Sequence, residues 1–280
     1  MLQLFRNAQI PTALLVLGYL LLLGINTWLY PHPLVGQLDQ LPSTLGQWLL
    51  HWLRHPSVNR FAFVGIVFIQ ALVLNAWVNQ FRLAKSSSFV PAIAFIGLHF
   101  VGDAADICSP VVLGNCFVLW SLYELWSGGE KRASLGTIFN IGFAAALAAL
   151  CYHGFVVLLL WVVLGWLLIR TFNAQEFILL LGGFGVPFFL MGTYQFVNDN
   201  LANWWQQEIV SHYTQWVAHY TVGHTWVISL GLVVLILLVA LVQWRAIQFK
   251  TNDREKKAQQ SVLLLSLIMG MSFLVQSQLY

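Results

Sequence analysis

Long apolar runs alternate with short polar segments along the chain. The runs cover 10–30, 61–81, 89–107, 111–126, 135–152, 155–169, 177–197, 223–244 and 260–279. Each is long enough, or nearly so, to cross a bilayer as a helix, for which about 20 residues suffice. The pattern predicts an all-α protein: a polytopic transmembrane helical bundle of about nine spans, forming one transmembrane domain over 1–280. The first run has the length of a permanent helix, lacks a small-x-small cleavage site and is followed by further spans, which argues against a signal peptide.

The connectors carry their own signals. Arg170-Thr-Phe-Asn-Ala-Gln-Glu176 is a tight turn between the sixth and seventh runs. Arg170 stands at the negative dipole end of one helix. Asn173 and Glu176 have capping-box spacing at the start of the next. Gly182, Gly183, Gly185 and Pro187 then predict a kinked span that neighbours approach closely. In the fifth run Gly142, Ala145, Ala146 and Ala149 form a small-residue face suited to the same contact. Two longer connectors repeat apolar residues at helical spacing and predict amphipathic helices in the interface plane, over 42–55 and 200–220. Their aromatic residues, Trp48 and Trp52 in the first and Trp204, Trp205 and Trp216 in the second, are the candidate contacts for lipid or a partner.

Composition agrees. Hydrophobic residues make up 59%, against roughly 45–50% in soluble domains, and charged residues 8%, against roughly 25%. The 13 Trp and 20 Phe are enough for aromatic belts at two interfaces. The net charge of +3 calls for no nucleic acid. Placement of the charges sets orientation. With the N-terminus cytoplasmic, eleven of the 13 Lys and Arg fall on the inner side, and only Arg54 and Arg60 fall outside. The positive-inside rule then puts the C-terminus in the periplasm and both Trp-rich connectors on the outer face.

All eight histidines lie on that outer side. His32, His51, His55, His212 and His219 fall in connectors, and His99, His153 and His224 near span ends. One reading is an outward metal or proton site; the other is that histidine tolerates interfaces. No His pair shows a ligand motif, so no metal and no cofactor is assigned. His99, Asp103 and Asp106 are spaced to share one helix face. An acid inside a membrane is costly enough to be a functional candidate, yet both acids lie close to the Ser109-Pro110 turn, where water and turn formation account for them equally. Asp39, in the first outer connector, is a further candidate. Glu124 reads as snorkelling or paired with a nearby base. Cys108, Cys116 and Cys151 lack ligand spacing; a Cys108–Cys151 disulfide near the outer ends is one reading.

Two comparisons follow from particular stretches. Leu98-His99-Phe100 with Asp103 looks like the His-Phe-Gly…Asp segment of membrane-bound carotene-cleaving oxygenases, whose iron chemistry needs further intramembrane His ligands and a His-Gly-rich motif absent here. More broadly, Asn75-Ala-Trp-Val-Asn79, Asn115-Cys-Phe-Val-Leu-Trp120, Arg170-Thr-Phe-Asn173 with Glu176, and Gly183-Phe-Gly-Val-Pro187 resemble an uncharacterised family of polytopic inner-membrane proteins of Bacteroidota, sometimes labelled carotene oxygenase-like. The resemblance covers most of 1–200 and implies a bacterial inner membrane, with no activity to carry over. Two function classes stand. One is a non-enzymatic subunit or scaffold of a cell-envelope complex with membrane-protein partners. The other is a membrane-embedded transferase or carrier for a polyprenyl-linked substrate, similar in layout to polyprenyl-phosphate-dependent glycosyltransferases.

Overall fold

The structure, a computed structural model, describes residues 10–29, 44–51, 53, 55–81, 83, 88–100, 108–128, 134–169, 173–210 and 260. The regular structure among them is all-helical. In chain order the helices are α1 (Ile10–Leu29), α2 (Thr44–His51), α3 (Pro56–Gln80), α4 (Val90–His99), α5 (Pro110–Ser127), α6 (Leu135–Cys151), α7 (Leu158–Ile169), α8 (Ala174–Val197) and α9 (Leu201–Trp204). A 3-10 turn, His153–Val157, precedes α7, and a π turn, Trp205–Val210, follows α9. Among the described residues two segments, Ser57–Gln80 and Ala174–Val197, are long and apolar enough to cross a membrane.

The first seven apolar runs thus appear as helices, with altered ends. α3 begins at Pro56 rather than at 61, because proline fits the first helical turn, where its missing N–H costs nothing. α4 stops at His99 rather than at 107, and the Phe100 N–H closes onto Gly97 O at 3.1 Å. The sixth run is divided between the 3-10 turn and a 12-residue α7. The eighth and ninth runs lie outside the described residues, as does Arg170. The chain divides into two compact units, Met1–Leu119 and Trp120–Tyr280.

The first unit is organised by one face of α3. Asn59, Phe63, Val67, Ala71 and Asn75 recur every four residues, and all five are buried. Such a row is the ridge by which a helix packs into a neighbour's groove. Its apolar members meet Val16 and Leu20 of α1 and Ala92 and Ile96 of α4. Its amides grip backbone. Asn59 Oδ1 accepts from Cys108 N at 2.8 Å, while its Nδ2 donates to Cys108 O at 3.4 Å. At the other end Asn79 pairs in the same two-way manner with Ser88, at 3.4 and 3.5 Å. Between them Gln70 Nε2 donates to Val112 O at 2.7 Å and to Cys116 Sγ at 3.0 Å. Gln70 Oε1 and Asn75 Oδ1 accept no hydrogen bond.

In the second unit α6 and α8 touch backbone to backbone. A Cβ added at Gly142 would run into Leu180 O and Phe184 N; one added at Gly183 would run into Phe139 O. The buried Ala145, Ala146 and Ala149 continue the small face of α6, as predicted. Gly182 and Gly185, by contrast, meet nothing within 4 Å. Both helices are capped by their preceding side chains. Ser134 Oγ accepts from Thr137 N at 3.2 Å, and Asn173 Oδ1 from Gln175 N at 3.1 Å. The α5 end joins through Ser121 Oγ, which donates to Ile141 O at 3.0 Å, and through Leu125 packed on Gly165. Trp161 and Trp166 of α7 are buried there.

Two stability predictions follow. Gly183→Ala should lower stability in detergent by about 1–3 kcal/mol, the range for overpacking, whereas Gly182→Ala should raise it by up to about 0.5–1 kcal/mol. Equal shifts in thermal unfolding would show that the helices do not meet at Gly183. Asn59→Leu should cost about 1–3 kcal/mol for each Cys108 backbone group left unpaired. An unchanged melting temperature would remove Asn59 as the clamp.

Candidate functional site: an aromatic groove between α8 and α9

α8 ends in a tightly bonded corner. Asp199 N donates to Phe196 O at 3.1 Å, and Asn200 N to Gln195 O at 2.9 Å. This pair of bonds is the Schellman arrangement, which needs a left-handed residue at its turning point, usually glycine. Here the residue is Asp199, at φ 53°. The apolar contact that commonly accompanies the motif is replaced by a polar one: Asn200 Nδ2 donates to the side chain of buried Gln195 at 3.2 Å. Trp204 N then donates to Asn200 O at 2.9 Å, which starts α9 against the corner.

The corner folds α9 back beside α8 and leaves a groove of about 1100 Å³. One wall is a single face of α8: Phe184, Phe188, Phe189, Gly192, Thr193 and Phe196. The other is Leu201, Ala202, Trp204, Trp205 and Gln206, and among the described residues Asp199 is the one ionisable residue of the lining. Gly192 is where the Trp204 ring comes near α8; a Cβ there would lie 3.8 Å from it.

The predicted stripe over 200–220 treats Trp204 and Trp205 as one surface. The structure separates them: Trp204 is 5% exposed and Trp205 53%. Neighbouring residues of a helix point about 100° apart, so Trp204 lies against Gly192 of α8 while Trp205 turns outward; a π turn begins at Trp205, and single π turns often mark functional positions. Trp216 lies outside the described residues. In the first connector α2 is present with Trp48 exposed, Trp52 lies outside the described residues, and Leu53 packs on the core of the first unit.

The other candidates fall elsewhere. His99 ends α4, half-buried. Its Nδ1 donates to Phe95 O at 3.0 Å, and its ring lies 4.5 Å from that of Phe95. Asp39, Asp103, Asp106, His32, His212, His219 and His224 lie outside the described residues. Among the described residues no three His, Cys, Asp or Glu side chains come together as a metal would require. Glu124 Oε1 accepts from Trp120 Nε1 at 3.2 Å and from Asn140 Nδ2 at 3.3 Å; the nearby bases Lys131 and Arg132 lie outside the described residues. None of the three cysteines is in a disulfide, and Cys108 and Cys151 are both buried, so the disulfide reading is corrected. Burial pushes the Cys108 thiol up to about 12, with Cys116 nearby adding to the shift. A thiol so held stays protonated at neutral pH and is a poor nucleophile.

The groove wall escapes a reading of the sequence, although its signal is present. Phe184, Phe188, Phe189 and Phe196 share one helical face within a run that is apolar all round. The Asn198-Asp199-Asn200 triplet is the kind of sequence that tolerates a left-handed turn.

The split between the two tryptophans is measurable. Trp204→Ala should cost about 3–5 kcal/mol, as for a buried aromatic. Trp205→Ala should stay within about 0.5 kcal/mol, as for a surface change. Comparable losses in thermal unfolding would place both rings in the core. Set against known proteins, the chain matches no family model, no curated protein and no solved structure.

Proposed function

We propose that the protein is a multi-pass protein of a bacterial inner membrane. It has nine spans, a cytoplasmic N-terminus and a periplasmic C-terminus, and serves as a non-enzymatic subunit or scaffold of a cell-envelope complex. The observation that carries this reading is how the polar side chains are used. Asn59, Gln70, Asn79 and Ser121 each hydrogen-bond the backbone of another segment. In hydrocarbon, where no water competes, such bonds hold a bundle together. They serve rigidity. The charge pattern supports the orientation, and the resemblance to Bacteroidota proteins supports the inner membrane. Trp205 and Trp48, both exposed, are the surfaces offered to lipid or partner on the outer side.

The apolar groove favours a second reading, a transferase or carrier that holds a polyprenyl chain. The lining weighs against it, because its one ionisable residue is an acid, which repels a polyprenyl phosphate.

Tagged protein extracted in mild detergent is expected to bring a defined set of membrane proteins with it in fixed ratio. It is also expected to leave a lipid-linked sugar donor unconsumed. Recovery as a lone chain overturns the subunit reading, and turnover of the donor establishes the second. A reporter after Lys257 should read cytoplasmic and one after Tyr280 periplasmic; the same side for both rejects the ninth span.

A further inference from the structure

We infer that the α8–α9 groove binds a phospholipid with a primary-amine headgroup, phosphatidylethanolamine, whose ammonium pairs with Asp199. The inference rests on the membrane reading above and names the ligand of its outer-face groove.

Length places the two ends of the site. The 24 residues of α8 rise about 36 Å, more than a hydrocarbon core of about 30 Å. Asp199, two residues beyond the helix, therefore stands at headgroup level. Phe184 to Phe196 covers about 18 Å of the helix below it, a length of wall suited to an acyl chain. The occupant is accordingly an amphiphile with its polar end at the corner.

The wall favours a lipid over a partner helix. Helices associate in membranes through small residues that let backbones meet, and Gly183 of α8 already meets α6 in that way. In the groove, Gly192 is covered by the Trp204 ring, and four phenylalanines make up most of the α8 wall.

Charge selects the headgroup. Among the described residues the lining contains one carboxylate and no Lys or Arg, so a headgroup whose only charge is phosphate is disfavoured. An ammonium finds in Asp199 an acceptor for a charge-assisted hydrogen bond. It also finds an exposed indole, Trp205, of the ring type that binds cations best.

The test uses the full chain reconstituted in vesicles of equal phosphatidylethanolamine, phosphatidylcholine and phosphatidylglycerol. The protein is re-extracted in mild detergent, and retained lipid is quantified by mass spectrometry. Phosphatidylethanolamine should be enriched about fivefold over the other two, the ratio given by roughly 1 kcal/mol for a partly exposed charge pair. Asp199→Asn keeps the shape and the left-handed tolerance, so it should return the ratio to that of the vesicle while total retained lipid is unchanged. Trp205→Ala should lower the enrichment. Equal retention of phosphatidylcholine, enrichment of phosphatidylglycerol, or an unaltered preference in Asp199→Asn would each overturn the assignment. A chain that enters the vesicles but shows no selectivity defeats only this inference. One that fails to enter them defeats the membrane reading as well.

Discussion

The contact on which the second unit depends is a pair of glycines. At Gly142 and Gly183 two helix backbones approach until a single methyl group would collide with a carbonyl oxygen. Without water to drive apolar surfaces together, helices in lipid associate by close packing, which grows with the length over which backbones stay near. The buried alanines of α6 extend that length. Its register also sets the rest of α8: once Gly183 faces α6, the phenylalanines that follow are committed to another face, and the groove inherits its wall from that choice.

The first unit solves the same problem with amides. An asparagine side chain carries one donor and one acceptor in a geometry that matches a backbone N–H and C=O, so Asn59 and Asn79 act like short pieces of sheet edge inserted between helices. Each holds both polar groups of one residue in a non-helical segment, Cys108 and Ser88, where the chain has left its own hydrogen-bond ladder. The clamps therefore sit where helix ends would otherwise be least satisfied.

How much of this is legible in the sequence depends on the range of the interaction. Helix existence and type are local, and seven apolar runs announce themselves. Asn173 is legible as a cap because its partner, Gln175, is two residues away. The partner of Asn59 is Cys108, and no local pattern links them. Of three glycines within 182–185 only one meets another helix; sequence shows that each is small and does not show which way it faces. Glu124 illustrates the same limit. A base is the expected partner of a lone acid, and among the described residues two neutral donors, Trp120 and Asn140, reach it. The Trp204–Trp205 pair fails for another reason: neighbouring residues of one helix point about 100° apart, and a stripe at helical spacing does not show which of the two is covered.

The polar corner at the end of α8 has a consequence for bilayer thickness. Its backbone groups are closed by bonds within the corner, and its side-chain contact, Asn200 to Gln195, is internal too. Such a corner does not need water to keep its shape. With about 6 Å of helix to spare over an average hydrocarbon core, α8 can meet a thicker membrane by sinking its end and a thinner one by tilting. The limit on sinking is set by one group, the Asp199 carboxylate, whose charge resists leaving the headgroup layer. On the membrane reading proposed above, that acid makes this end of α8 a depth gauge, and the helix tolerates mismatch on one side of it more readily than on the other.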